Sequence, residues 1–147
     1  MRKAIVISIL LAVFAGCNSD IVTTNQLKAI PDKWVYISPI ESQDPFVGKV
    51  LRDAIEKEFI RKHVQIADAA NANIILTGST FMTTRSTGKT GWFGGKQISA
   101  EAIESVTITA KDKAGNILLT ASYNNVDQQT ASKLAADFGS SLADKLR

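Results

Sequence analysis

The residues with the most chemical potential are gathered in TGKTGWFGGKQ, residues 87–97, which holds four glycines, Lys89, Lys96 and the adjacent pair Trp92-Phe93. Gly88-Lys89-Thr90 invites comparison with a nucleotide-binding loop. That motif needs a glycine five positions before its Gly-Lys pair, and position 83 is Thr. Gly95-Lys96 fails too, because Thr90 stands at the required glycine and Gln97 replaces Ser/Thr. No helix start follows to receive a phosphate. What remains is a glycine-rich loop with two large aromatics, which invites three readings: folding back over an open end of the domain, contact with a subunit or partner, or contact with a membrane interface, where Trp is favoured and Lys89 and Lys96 could meet lipid phosphates.

Other chemistry is sparse. His63 is the single histidine and Cys17 the single cysteine, so His/Cys metal clusters are excluded and no disulfide is expected. His63 follows Arg61 and Lys62 at the end of a predicted helix, where cations suit the helix dipole. Asp53, Glu56 and Glu58 fall on the polar side of the same helix, and Asp127, Asp137 and Asp144 are scattered. Nothing meets the demands of an active site, so no enzyme, metal or cofactor is expected.

The elements that position these residues are readable. Trp34-Val35-Tyr36-Ile37 predicts a strand ended by Pro39. Asp44-Pro45 is a helix start, and Val47, Val50, Leu51, Ala54, Ile55 and Phe59 recur at helical spacing. Residues 74–86 predict a long strand with a possible bulge at Gly78. The next strand, to about 112, alternates on Ile98, Ala100, Ala102, Val106, Ile108 and Ala110. Glu104 falls on that apolar side and Ile103 on the other, which predicts a bulge or a subunit contact at 103–104. A fourth strand puts Ile117, Leu119, Ala121 and Tyr123 on one face, and Ala131, Leu134, Ala135, Phe138, Leu142 and Leu146 form a closing helical stripe. The order β-α-β-β-β-α predicts an α+β two-layer sandwich, a mostly antiparallel sheet with two helices on one face.

The chain start reads differently. Arg2 and Lys3 precede an apolar run from Ala4 to Ala15, shorter than the ~20 residues of a membrane-spanning helix. This is the pattern of a signal peptide over 1–16. Ala15-Gly16-Cys17 resembles the lipobox of bacterial lipoproteins, with Phe14 departing from the usual Leu. That resemblance implies lipidation of Cys17. Asn18 after it, rather than Asp, implies sorting to the outer membrane, facing the periplasm. Residues 17–32 are expected to be a lipidated cysteine and flexible tether reaching roughly 20 Å, and 33–147 a single domain. The formal charge of +3, from 17 basic and 14 acidic residues, becomes 15 against 14 without Arg2 and Lys3. Nucleic-acid binding, which wants a clustered basic face, is therefore not expected.

VYISPIES, FVGKVLRDAIEKEF and ADAANANIILTGST, with Gly48, Leu51, Ala54, Ile55, Ala72, Asn73, Ile74, Leu76 and Gly78 as the matching positions, resemble small envelope lipoproteins built on the domain of the curli secretion channel CsgG and the N-terminal domain of TolB. That group includes the PelC lipoproteins, activators of peptidoglycan synthases and flagellar outer-membrane ring proteins. The chain lacks the length for CsgG's membrane-spanning hairpins or TolB's propeller and is closest in plan to PelC-like rings. The resemblance implies a non-enzymatic structural subunit of an export, secretion or flagellar-type machine, forming a homo-oligomer within an envelope complex. A monomeric activator of a peptidoglycan synthase and a small-ligand or lipid carrier are the alternatives.

Overall fold

The structure is a computed structural model that describes residues 19–87 and 98–147, without the side chains of 85–101. In chain order the elements are β1 (Ser19–Thr23), α1 (Asn25–Ala29), β2 (Trp34–Glu41), α2 (Pro45–Arg61), β3 (Gln65–Ile66), β4 (Ile74–Thr87), β5 (Ile98–Asp112), β6 (Ile117–Asn124) and α3 (Ala131–Leu146). The strands form one sheet in the order β1-β6-β5-β4-β2-β3. β2 runs parallel to β3 and β4; every other neighbouring pair is antiparallel. The α+β sandwich expected from the hydrophobic periods is the architecture found.

α2 begins where its cap residues say it should: Asp44 accepts a hydrogen bond from the Phe46 amide at 2.8 Å, with Pro45 in the first turn. Its buried stripe is Gly48, Leu51, Ile55 and Phe59; that of α3 is Leu134, Ala135, Phe138, Gly139, Leu142, Ala143 and Leu146. These meet the inward rows of the sheet, with Val35, Ile37, Ile74, Leu76, Val106, Ile108, Leu119 and Ala121. The helices can cross closely because Gly139 has no side chain: a Cβ there would come within 3.0 Å of the Ile55 Cα. Lys62 adds an ion pair to Asp144 at 2.9 Å, and that hydrogen bond lowers the Asp144 pKa. The opposite face of the sheet is polar, with Thr77, Thr109 and Thr120 abreast and Ser79, Thr107 and Ser122 beside them. Threonine suits a wet sheet face, being β-branched yet polar.

Several expectations need correction. Residues 17–32 are not a free tether over their described part. β1 pairs with β6 from Ser19↔Tyr123 to Thr23↔Leu119, and Leu27 of α1 is 2% exposed in the core. β1 covers what would otherwise be an open edge of β6. The element order is correspondingly longer than β-α-β-β-β-α. The strand from Trp34 does not halt at Pro39 but runs to Glu41. Its irregularity lies between Ile37 and Ile40, opposite Leu76 and Gly78, so the extra residue is in β2 rather than at Gly78. Pro39, which has no amide to donate, fits there. In β6 a register shift sets Leu119 opposite Ala110 but Ile117 opposite Lys111, so Leu118 is buried and Ile117 leaves the apolar row.

Two acid-centred turns close the outer connections. Asp112 accepts from the Asn116 side chain and backbone amide, both at 2.8 Å, around Gly115 at φ +88°. Asp68 accepts from the Asn71 and Ala70 amides. These bonds favour the charged carboxylates and pull both pKa values below the usual range, led by the Asn116 side chain for Asp112 and the Asn71 amide for Asp68.

Candidate functional site

β4 and β5 outrun their neighbours. β2 leaves β4 at Glu41↔Ser79, and β6 leaves β5 at Asn124↔Ser105, but β4 and β5 stay paired to Thr87↔Ile98. Phe81–Thr87 and Ile98–Glu104 therefore form a two-stranded arm. At ~3.3 Å per residue it projects roughly 20 Å beyond the sheet. Residues 88–97, which join the two strands in the sequence, lie outside the described residues.

Both sides of the root are fastened. Towards β2, the Thr80 hydroxyl donates to Ser42 Oγ at 2.9 Å, and Ser42 Oγ contacts Met82 Sδ at 3.5 Å. Towards β6, the register shift that sets Phe81 opposite Ser105 and Met82 opposite Ile103 makes Glu104 the extra residue of a bulge. The Glu104 carbonyl accepts the Asn125 amide at 2.8 Å. Asn125, 4% exposed, is the buried polar residue among those described. Its Nδ2 donates to the carbonyls of Ile103 (2.9 Å) and Gln129 (3.0 Å), and its Oδ1 accepts the Gln129 amide at 2.7 Å. One side chain thus ties the arm root to the lead-in of α3.

The bulge expected at 103–104 is present. Sliding the register by one residue turns Ile103 inward, 5% exposed, into the same core as Val106 and Ile108, with Glu104 exposed. Ile103 is a core residue of this chain, with its side chain turned away from the surface. Cys17, Lys89, Trp92, Phe93 and Lys96 lie outside the described residues.

The same end of the molecule holds a hollow of about 410 Å³ between the end of β2 and the first turns of α2, with Ile40, Ser42 and Gly48 among its lining. Glu41, Asp53, Lys49 and Arg52 also line it, so it has no dominant sign of charge. The Arg52 Nε is buried without a partner among the described residues. Phe46, 70% exposed, and Phe81, 57% exposed, are large apolar residues left in water at this end. Among the described residues no group of His, Cys, Asp and Glu could hold a metal ion, and no helix is long and apolar enough to cross a membrane.

His63 is accounted for by backbone geometry. It has φ 61°, its amide donates to the Ile60 carbonyl and the Val64 amide donates to Phe59, which is the paired bonding of a left-handed helix stop. Of the cations expected at this helix end, Arg61 pairs with Glu58 and Lys62 with Asp144. Sequence reasoning missed Ser42, Thr80 and Asn125. Asn125 stands in YNNVDQQT, where an asparagine reads as turn filler.

No family model and no curated protein sequence matches the chain. Solved structures share its fold. A point variant of the PelC dodecamer from Paraburkholderia phytofirmans is 17% identical with a TM-score of 0.58, over 88% of this chain and 98% of that one. A second PelC dodecamer structure from the same organism gives 18% and 0.54, over 87% and 96%. A PDZ domain protein from Parabacteroides distasonis is 14% identical with a TM-score of 0.52, over 82% of this chain and a third of its own, 33%. The chain has a PelC-like α+β fold.

Proposed function

We propose that this protein is a non-enzymatic, lipid-anchored protein of the outer membrane, facing the periplasm. In this reading it is a homo-oligomeric structural subunit of an envelope machine for export, secretion or a surface appendage. The observation that carries the reading is the register of β1. Ser19 pairs with Tyr123, which pairs with Val106, which pairs with Thr80 at the arm root. The chain leading back from Ser19 to Cys17 therefore starts from the end of the sheet that bears the arm. With Asn18 alone between the cysteine and β1, a lipid on Cys17 would hold that end close to the bilayer. The arm would then carry Lys89, Trp92, Phe93 and Lys96 towards the membrane surface or a partner there. The likeness in fold to a dodecameric protein supports the assembly part of the reading.

Expression in a bacterium with intact lipoprotein processing tests the anchor. The mature protein is expected to begin at Cys17, to carry the mass of a lipid on it and to sediment with membranes, and Cys17→Ser is expected to move it to the soluble fraction. A wild-type protein that is soluble and carries no lipid would contradict the proposal.

A further inference from the structure

The arm presents a problem that the rest of the fold has solved. Elsewhere the ends of the sheet are short: β3 has 2 residues and β1 has 5. Within the arm, β4 past Ser79 has lost β2, and β5 before Ser105 has lost β6. Asn125 occupies the Glu104 carbonyl through its amide and the Ile103 carbonyl through its side chain; apart from these, no backbone group of another described element bonds to Phe81–Thr87 or Ile98–Glu104. Burial stops at the Met82–Ile103 pair: Thr83 is half-buried and Thr84 exposed. Beyond it the paired positions are Thr83↔Ala102, Thr84↔Glu101, Arg85↔Ala100, Ser86↔Ser99 and Thr87↔Ile98, so polar residues stand in both rows and Ala102, Ala100 and Ile98 share one of them. A two-stranded ribbon is marginal in water, and its two open edges are templates for another strand.

The two edges also complement one another. In one arm β4 runs outward and β5 returns. If two arms stand side by side, the β4 edge of one meets the β5 edge of the next, and the antiparallel alternation continues unbroken. The two edges of one arm differ, so each copy gives one and receives the other. Such head-to-tail contacts close into a ring with no edge left over.

We propose that arm-to-arm strand pairing is the subunit contact: the β4 edge (Phe81–Thr87) of one copy pairs with the β5 edge (Ile98–Ala102) of a second copy. This rests on the homo-oligomeric reading above and adds the surface that makes it.

Hydrogen exchange on the full-length lipidated chain in detergent, with light scattering for mass, tests both levels. In the assembled protein the arm amides are expected to exchange at least about tenfold more slowly than in dilute monomer, because the outward ones gain partners. Thr83→Pro and Thr84→Pro form a paired test, since neighbouring residues of an antiparallel strand aim their amides to opposite sides. The variant whose amide points away from β5 keeps the intramolecular ladder. It should keep the wild-type melting temperature and lose the assembled mass. An assembly in which arm exchange equals that of the monomer, or one that survives both prolines, overturns the pairing and leaves the oligomer to another surface. A chain that is monomeric at every concentration overturns the pairing and the oligomeric reading together.

Discussion

Asn125→Ala is expected to lower stability by about 3 kcal/mol, a fall in melting temperature of roughly 10 °C or more for a domain of this size. The loss has a specific origin. The side chain makes three hydrogen bonds within a buried site, to the Ile103 carbonyl, the Gln129 carbonyl and the Gln129 amide. Alanine cannot replace any of them, and removing one partner leaves buried groups to bear their desolvation alone. Asn125→Asp is expected to be at least as damaging at neutral pH. Its carboxylate would keep the bond from Gln129 but turn negative oxygens towards two carbonyls that now accept. Thermal unfolding by circular dichroism measures both. The arm root should loosen as well, because the same side chain holds the bulge that turns Ile103 inward. A neutral Asn125→Ala would mean that this network contributes little beyond local order.

Gly48→Ala is expected to cost about 2–3 kcal/mol, against the gain of ~1 kcal/mol that the same change brings in an ordinary helix interior. A Cβ at Gly48 would sit 2.3 Å from the Ile40 carbonyl oxygen and 3.4 Å from the Ser42 Cβ. The first of these is backbone in the irregular part of β2, so it cannot swing away as a side-chain tip could. α2 would have to lift off the strand, which opens the packing of Leu51 and Ile55 behind it. A larger residue such as leucine is expected to prevent folding. Chemical denaturation of the alanine variant is the direct check, and a stabilised protein would show that the helix has room to move.

What could be read from the sequence was what depends on neighbours in the chain. α2 was legible because Asp44-Pro45 and a helical stripe agree, and α3 because its stripe is unbroken. The bulge at Glu104 was legible as a fault in alternation, although the same fault left a subunit contact open at Ile103. β1 was not legible: it is five residues long, only Ser19 and Ile21 are even half-buried, and its stability comes from pairing with β6 about a hundred residues away. The bulges in β2 and β6 were misplaced or missed because an extra residue shows only against its partner strand. Asn125 escaped because its carbonyl partners belong to Ile103 and Gln129. The arm itself was half visible. Two long strands were expected, but their excess over β2 and β6 exists only once the sheet order is known.

In the proposed function the end of the sheet that bears the arm faces the membrane. A lipid on Cys17 would consume the natural thiol, so a single introduced cysteine can carry a fluorophore. Thr84 on the arm and Ala114 in the turn between β5 and β6 mark opposite ends of the sheet, and both are exposed. The lipidated Thr84→Cys and Ala114→Cys proteins would be labelled and bound to vesicles containing a nitroxide headgroup lipid. Strong quenching at 84 with little at 114 is the predicted result. Equal quenching at both positions, or stronger quenching at 114, would contradict it.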